Sequence, residues 1–144
     1  MDTNKPNCIL AFDFGTRQIG LAVGQTLTSS CRPLAILKAK DGKPNWEDVT
    51  THLAAWSPAL LIVGLPLNID GTESPFCLRA RKFARRLHGR TGLPVQMVDE
   101  RLSTAEAKTL SKRPDSYRKN PVDSEAASLI LETWLYNRDI GLQP

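Results

Sequence analysis

The chain has 144 residues, 41% of them apolar, which suffices for one hydrophobic core and excludes two full lobes closed around a ligand. Nineteen Lys and Arg against 15 Asp and Glu leave a net charge of +4, a mild excess that matters only where it is clustered. The three cysteines, Cys8, Cys31 and Cys77, are odd in number and lack any C-x-x-C pairing, so neither a disulfide framework nor a zinc site is indicated.

From Cys8 to Phe14 the sequence reads as a strand, followed by a Gly-containing turn and a second strand over Ile19–Gly24. In that second strand Gly20, Ala22 and Gly24 share one face, which could admit a close neighbour or a ligand. A third strand over Ser30–Leu37 ends in the turn Lys40–Pro44 and completes an antiparallel meander. Then the pattern changes to a helix over Trp46–Trp56, a buried strand over Leu60–Gly64, a helix from about Ser74 to His88 and a strand over Val95–Val98. Strands that alternate with helices imply parallel crossovers.

Ser103-Thr104-Ala105-Glu106 has the spacing of a capping box, and the helix it opens fails near Pro114. A polar loop over Lys112–Asn120 leads into a last helix from Pro121 to about Tyr136. These elements predict a single α/β domain over residues 1–144, with a five-stranded mixed sheet flanked by helices. The longest apolar run, Ala59–Leu67, is too short to span a membrane and is interrupted by Gly64 and Pro66. Asp13 breaks the apolar patch near the start, which argues against a signal peptide, so a soluble intracellular protein is expected.

The acids stand out against this background. Asp13 lies near the end of the first strand on the face of Ile9 and Ala11, where a carboxylate is costly unless it is paired or binds a cation. The plainer alternative is a strand-end aspartate that caps the turn. Asp99 and Glu100 follow the strand Val95–Val98; one of them can share the face of Asp13, and Glu100 is favoured although alternation alone scarcely separates the two. On the last helix Asp123 shares a stripe with Ala126, Ala127, Ile130 and Trp134, although as the third helical residue after Asn120 it also suits the helix dipole. Ligands of open α/β sheets gather beyond the carboxyl ends of the parallel strands, where these acids could converge. Converging carboxylates without histidine suit Mg²⁺ or Mn²⁺, ions that in pairs can activate water against a phosphodiester.

No acidic residue falls between Ser74 and Val98, whereas Arg79, Arg81, Lys82, Arg85, Arg86 and Arg90 all do. Phe76, Ala80, Phe83, Ala84 and Leu87 form the apolar stripe of that helix, which leaves an almost uniformly positive face for solvent. A one-signed face of this kind is better matched to a phosphate backbone than to bulk water.

Four ordered segments carry a resemblance to a known family: Phe12-Asp13-Phe14-Gly15-Thr16-Arg17-Gln18-Ile19-Gly20-Leu21-Ala22, Ile62-Val63-Gly64-Leu65-Pro66-Leu67-Asn68-Ile69-Asp70-Gly71-Thr72-Glu73, Asp99-Glu100-Arg101-Leu102-Ser103-Thr104-Ala105-Glu106-Ala107 and Val122-Asp123-Ser124. Over nearly the whole chain the sequence resembles the YqgF family of pre-16S ribosomal RNA and Holliday-junction-resolvase-like nucleases. The resemblance implies a ribonuclease H-like fold, a cytoplasmic protein, divalent-metal-dependent hydrolysis, and a part in maturing the 5′ end of 16S ribosomal RNA during ribosome assembly. By motif position it makes Asp13, Glu100 and Asp123 the acidic triad, both catalytic and metal-holding, with RNA or branched DNA as partner. Arg17, Asn68 and Arg101 become candidates for contacts to the scissile phosphate, beside the basic helix. Where family members often carry a glycine- and lysine-rich loop before Val-Asp-Ser, this chain has Ser116-Tyr117-Arg118-Lys119-Asn120-Pro121.

Two other functions compete. The hairpin around Asp13 also resembles the phosphate hairpin of actin-like ATPases, which need a second lobe that 144 residues do not supply. A nucleic-acid-binding assembly factor with a degenerate site would account for the basic helix alone.

Overall fold

The computed structural model describes residues 5–102 and 124–144. Its sheet is built from β1 (Lys5–Asp13), β2 (Gln18–Gln25), β3 (Ser30–Lys40), β4 (Lys43–Pro44), β5 (Pro58–Leu65) and β6 (Val95–Asp99). Among the described residues the long helices are α1 (Trp46–Trp56), α2 (Pro75–Thr91) and α3 (Ser124–Tyr136). The six strands lie in the order β4-β3-β2-β1-β5-β6, so the five expected strands are present and a two-residue strand, β4, is added. The first four are antiparallel neighbours; β5 joins β1 in parallel and β6 joins β5 in parallel. The meander followed by crossovers is therefore as the strand and helix pattern predicts.

Alternation along β1 sorts the core into two halves. Cys8, Leu10 and Phe12 face one way and pack with Val49 of α1 and with Cys77, Ala80, Phe83, Ala84 and Leu87 of α2. Ile9 and Ala11 face the other way and meet Ala127, Ile130, Leu131 and Trp134 of α3. Phe83 anchors the first half, edge-on to Phe12 at 5.8 Å and stacked against Trp46 at 6.1 Å between ring centres. In the second half the indole Nε1 of Trp134 donates to Gln96 Oε1 at 2.9 Å, so the ring is buried without losing its hydrogen bond. The glycine and alanine face of β2 has a clear purpose here: a Cβ on Gly24 would stand 2.8 Å from Leu131 Cδ2, so α3 lies close against that strand.

Helix ends differ from the sequence reading by a few residues, for local reasons. α2 begins after Ser74, whose hydroxyl accepts from the Cys77 N–H at 3.3 Å, and Pro75 takes the first helical position. It continues past His88 and through Gly89 to Thr91, where Gly92, at φ +73, takes the left-handed cap and its N–H donates to the His88 carbonyl. Ser74→Ala is expected to cost about 1 kcal/mol in a urea melt; no measurable cost would show that Pro75 alone fixes the start of α2. Beyond α3 the chain returns to the sheet, where Leu142 exchanges both backbone hydrogen bonds with Met97 of β6, at 2.7 and 2.8 Å.

Cys8 and Cys77 are fully buried and Cys31 is half-buried, where burial raises its thiol pKa. No described helix is long and apolar enough to cross a membrane.

Candidate active site

Asp13 ends β1 on the α3 face of the sheet, next in alternation after Ile9 and Ala11, and is 4% exposed. Its register partner on β2 is Gly20. On the other side Phe12 pairs with Val63, so one further step puts Asp13 beside Gly64 of β5. Both flanking positions are therefore glycine, and neither adjacent strand places a side chain beside the carboxylate.

The space over Gly64 is taken from above. A Cβ built there would lie 2.7 Å from Glu100 Oε2, 3.0 Å from Glu100 Cδ and 2.6 Å from Ile130 Cδ1 of α3. Glu100, the first residue to turn helical after β6, thus folds its carboxyl inward over the strand next to Asp13. Adjacent strands are ~4.8 Å apart, so Asp13 lies one strand over from the position that the Glu100 carboxyl covers, both at the carboxyl ends of the parallel strands. Although Glu100 as a residue is half-buried, its carboxyl end is deep. Burial first, and then the charge of Asp99, raise its pKa to about 7.

Asp99 has a different task. Against the opposing pull of burial, the Arg101 side chain and backbone N–H hold its pKa below the usual value, with the closest contact 2.7 Å from Arg101 Nη2 to Asp99 Oδ2. Asp99 is therefore engaged by Arg101, whereas the Glu100 carboxyl lies over Gly64, so the two residues that alternation left nearly equivalent have different surroundings. Among the described residues no group of three or more His, Cys, Asp or Glu side chains is gathered as a metal site. Asp123, expected beside this pair, lies outside the described residues, as do the capping box Ser103–Glu106 and the loop up to Asn120. The stripe it was read from does face the sheet, since Ala127, Ile130 and Trp134 all pack there.

The remaining candidates fall into distinct places. Arg17 is exposed on the β1–β2 turn. Asn68 is exposed on the loop after β5, a turn closed on itself: Asn68 Nδ2 donates to Thr72 Oγ1 at 2.9 Å, and Asp70 accepts from the Thr72 hydroxyl and N–H. Those same bonds lower the Asp70 pKa. Arg101 donates to the Ile69 carbonyl of that loop at 3.2 Å while paired to Asp99, so it ties the loop to the end of β6.

The basic helix is divided by its neighbours. Arg81 forks onto Glu73 at 2.8 and 2.9 Å and also donates to the Gln143 and Pro144 carbonyls; Arg85 donates to Pro144 at 3.0 Å. Arg79 holds Asp41 at 2.8 Å, and these ion pairs lower the pKa of both Glu73 and Asp41. Arg90 lies 4.3 Å over the Trp46 ring. The positive face is thus not uniform: its two sides have different surroundings. Glu73 lies just before the helix, and residues 143 and 144 are distant in sequence, which is why the wheel of α2 alone did not show the division.

An antiparallel meander that continues into parallel strands, with helices packed on both faces, is a ribonuclease H-like fold of the resolvase type. The solved structure titled "T. thermophilus RuvC in complex with Holliday junction substrate" shares that fold, with a TM-score of 0.59 over 94% of this chain and 98% of that chain at 16% identity. Residues 7–137 match the family model described as RuvX: Holliday junction resolvase, and the chain belongs to this family of nucleases. A relative from Azotobacter vinelandii is 52% identical over 94% of this chain and 98% of its own, and one from Edwardsiella ictaluri is 53% identical over 92% and 97%. Both carry the name "Putative pre-16S rRNA nuclease".

Proposed function

We propose that this nuclease hydrolyses phosphodiester bonds in RNA, trimming the 5′ end of pre-16S ribosomal RNA in the cytoplasm during ribosome biogenesis. The observation that supports this reading is the placement of two acids at the carboxyl ends of the parallel strands: Asp13, buried at the end of β1, and Glu100, with its carboxyl over Gly64 of the next strand. The names of the relatives supply the substrate.

Mg²⁺ or Mn²⁺ fits the donor set, because the acids offer hard oxygen and the burial that raises the Glu100 pKa is offset by a cation. Asp13 and Glu100 would hold it, together with Asp123, which immediately precedes the first residue of α3 in the chain. Bound there, a divalent ion supplies an activated water and takes up charge on the phosphate oxygens. The chain's own residues do the positioning. Asp13 is fixed by the end of β1 and Glu100 by packing against Gly64 and Ile130, so neither carboxyl has to be ordered when substrate arrives. Arg17 and Asn68 are exposed on the turns that follow β1 and β5 and would meet a phosphate there, and Arg101 holds the Asn68 loop in its place.

A junction substrate is the second reading, favoured by the description of the family. The test incubates purified protein with RNA carrying a 5′ extension and, separately, with branched DNA, in Mg²⁺, Mn²⁺ or EDTA. RNA cleavage that needs the divalent ion supports the first reading, and cleavage confined to branched DNA replaces it with the second. Binding of RNA with no cleavage of either substrate would refute the enzyme and leave an assembly factor.

A further inference from the structure

On the sheet face opposite Asp13, a groove runs along α2. A cleft of about 270 Å³ lies between α2 and the β3–β4 turn, lined by Phe14, Lys43, Trp46, Arg79, Lys82 and Arg86 among others. It adjoins a second, of about 640 Å³, that shares Lys43, Trp46 and Arg86 and continues to Arg90. At 100° per residue Arg79, Lys82, Arg86 and Arg90 form one row on the helix, beside the apolar stripe, and Arg81 and Arg85 lie on its other flank. The eleven steps from Arg79 to Arg90, at ~1.5 Å each, make that row about 16 Å long, the axial rise of about five nucleotides of a strand.

The charges of this row are differently disposed from those of Arg81 and Arg85. Arg79 is neutralised by Asp41, and its bonds to the Asp41 carbonyl and carboxylate pin the β3–β4 turn at the end of the groove. Among the described residues no carboxylate lies in ion-pair distance of Lys43, Lys82 or Arg86, nor of Arg90 over Trp46. The groove therefore presents four cations from two sides and an aromatic ring at their junction. On the other flank Arg81 is committed to Glu73 and to the Gln143 and Pro144 carbonyls, and Arg85 to the Pro144 carbonyl, so they contribute little to binding.

The groove also connects to the acids. Phe14, which lines it, directly follows Asp13, and the Thr16 carbonyl accepts from the Gly42 N–H at 2.9 Å, joining the β1–β2 turn to the β3–β4 turn. Arg17 is exposed on that crossing.

We infer that a single nucleic-acid strand reaching Asp13 continues over the β1–β2 turn past Arg17 and lays its phosphates along Lys43, Lys82, Arg86 and Arg90. This rests on the nuclease reading for the strand's destination. Its binding in the groove can be measured without cleavage. A strand suits the groove better than a duplex because the cleft is bounded by α2 on one side and the turn on the other.

The test measures binding of a fluorescein-labelled single-stranded RNA of about 20 nucleotides in EDTA, by anisotropy, between about 50 and 200 mM salt. Lys82→Ala with Arg86→Ala is expected to lower the slope of log K against log salt by about 1.4, two phosphate contacts at ~0.7 each. Arg81→Ala with Arg85→Ala is expected to leave the slope in place, and Lys82→Arg with Arg86→Lys to restore it. Equal losses from both pairs, or no loss from the first, would overturn the inference. A strand that binds with this slope but is never cut in Mg²⁺ keeps the groove and refutes the nuclease reading. A strand that is cut while Lys82→Ala with Arg86→Ala leaves the slope unchanged does the reverse.

Discussion

Asp13→Asn is expected to lower RNA cleavage on the order of 10³-fold, about 4 kcal/mol of transition-state stabilisation, while the melting temperature stays within a few degrees of the parent's. Asparagine keeps the size and planarity of the group but replaces an anionic oxygen by an N–H₂ donor, so it cannot act as a hard anionic ligand. At 4% exposure the native carboxylate carries a desolvation cost that the neutral amide avoids, which is why folding is not expected to suffer. Single-turnover cleavage and a thermal melt, taken together, decide the matter. Retained cleavage would remove Asp13 from the chemistry, and lost cleavage with a collapsed melt would make it a structural residue.

The second large effect comes from a residue with no side chain. Gly64→Ala is expected to lower both stability and activity, because its methyl would stand 2.6 Å from Ile130 Cδ1 and 2.7 Å from Glu100 Oε2. Ile130 belongs to the packed face of α3 and yields only by disturbing it, so the overpacking cost is about 1–3 kcal/mol, or roughly 3–10 °C in melting temperature. Glu100 must move as well, and a carboxyl displaced by about 1 Å costs cleavage on the order of 10²-fold. Gly89→Ala is the control: nothing lies within 4 Å of its Cβ position in α2, so alanine there is expected to raise the melting temperature. Full activity in Gly64→Ala would show that Glu100 reaches the site from another direction.

Much of this arrangement was legible because it follows local rules. Two-residue alternation along β1 was enough to put Asp13 on the face of Ile9 and Ala11, and the small-residue face of β2 announced a close neighbour, which is α3. The choice between Asp99 and Glu100 was not legible, because both sit at a strand end where alternation gives way to a helix. Pairing of Asp99 with Arg101 gives the two different surroundings, and such a pairing depends on side-chain rotamers that spacing does not encode. Gly64 is a similar case: a glycine inside a buried strand signals that something approaches, but only the fold shows that it is Glu100 from one side and Ile130 from another. The split of the α2 charges depends on Asp41 and on residues 143 and 144, contacts made across long stretches of chain.

The bridge between Leu142 and Met97 has a consequence for the molecule's behaviour in a crowded solution. Among the described residues β6 is the last strand on one side of the sheet, and its open backbone groups would template pairing with another chain. Leu142 occupies the Met97 donor and acceptor, while at the opposite margin β4 offers only two residues, one of them a proline. Among the described strands both margins are thereby protected against edge-to-edge self-association, and the residues around Leu142 serve as a guard against aggregation.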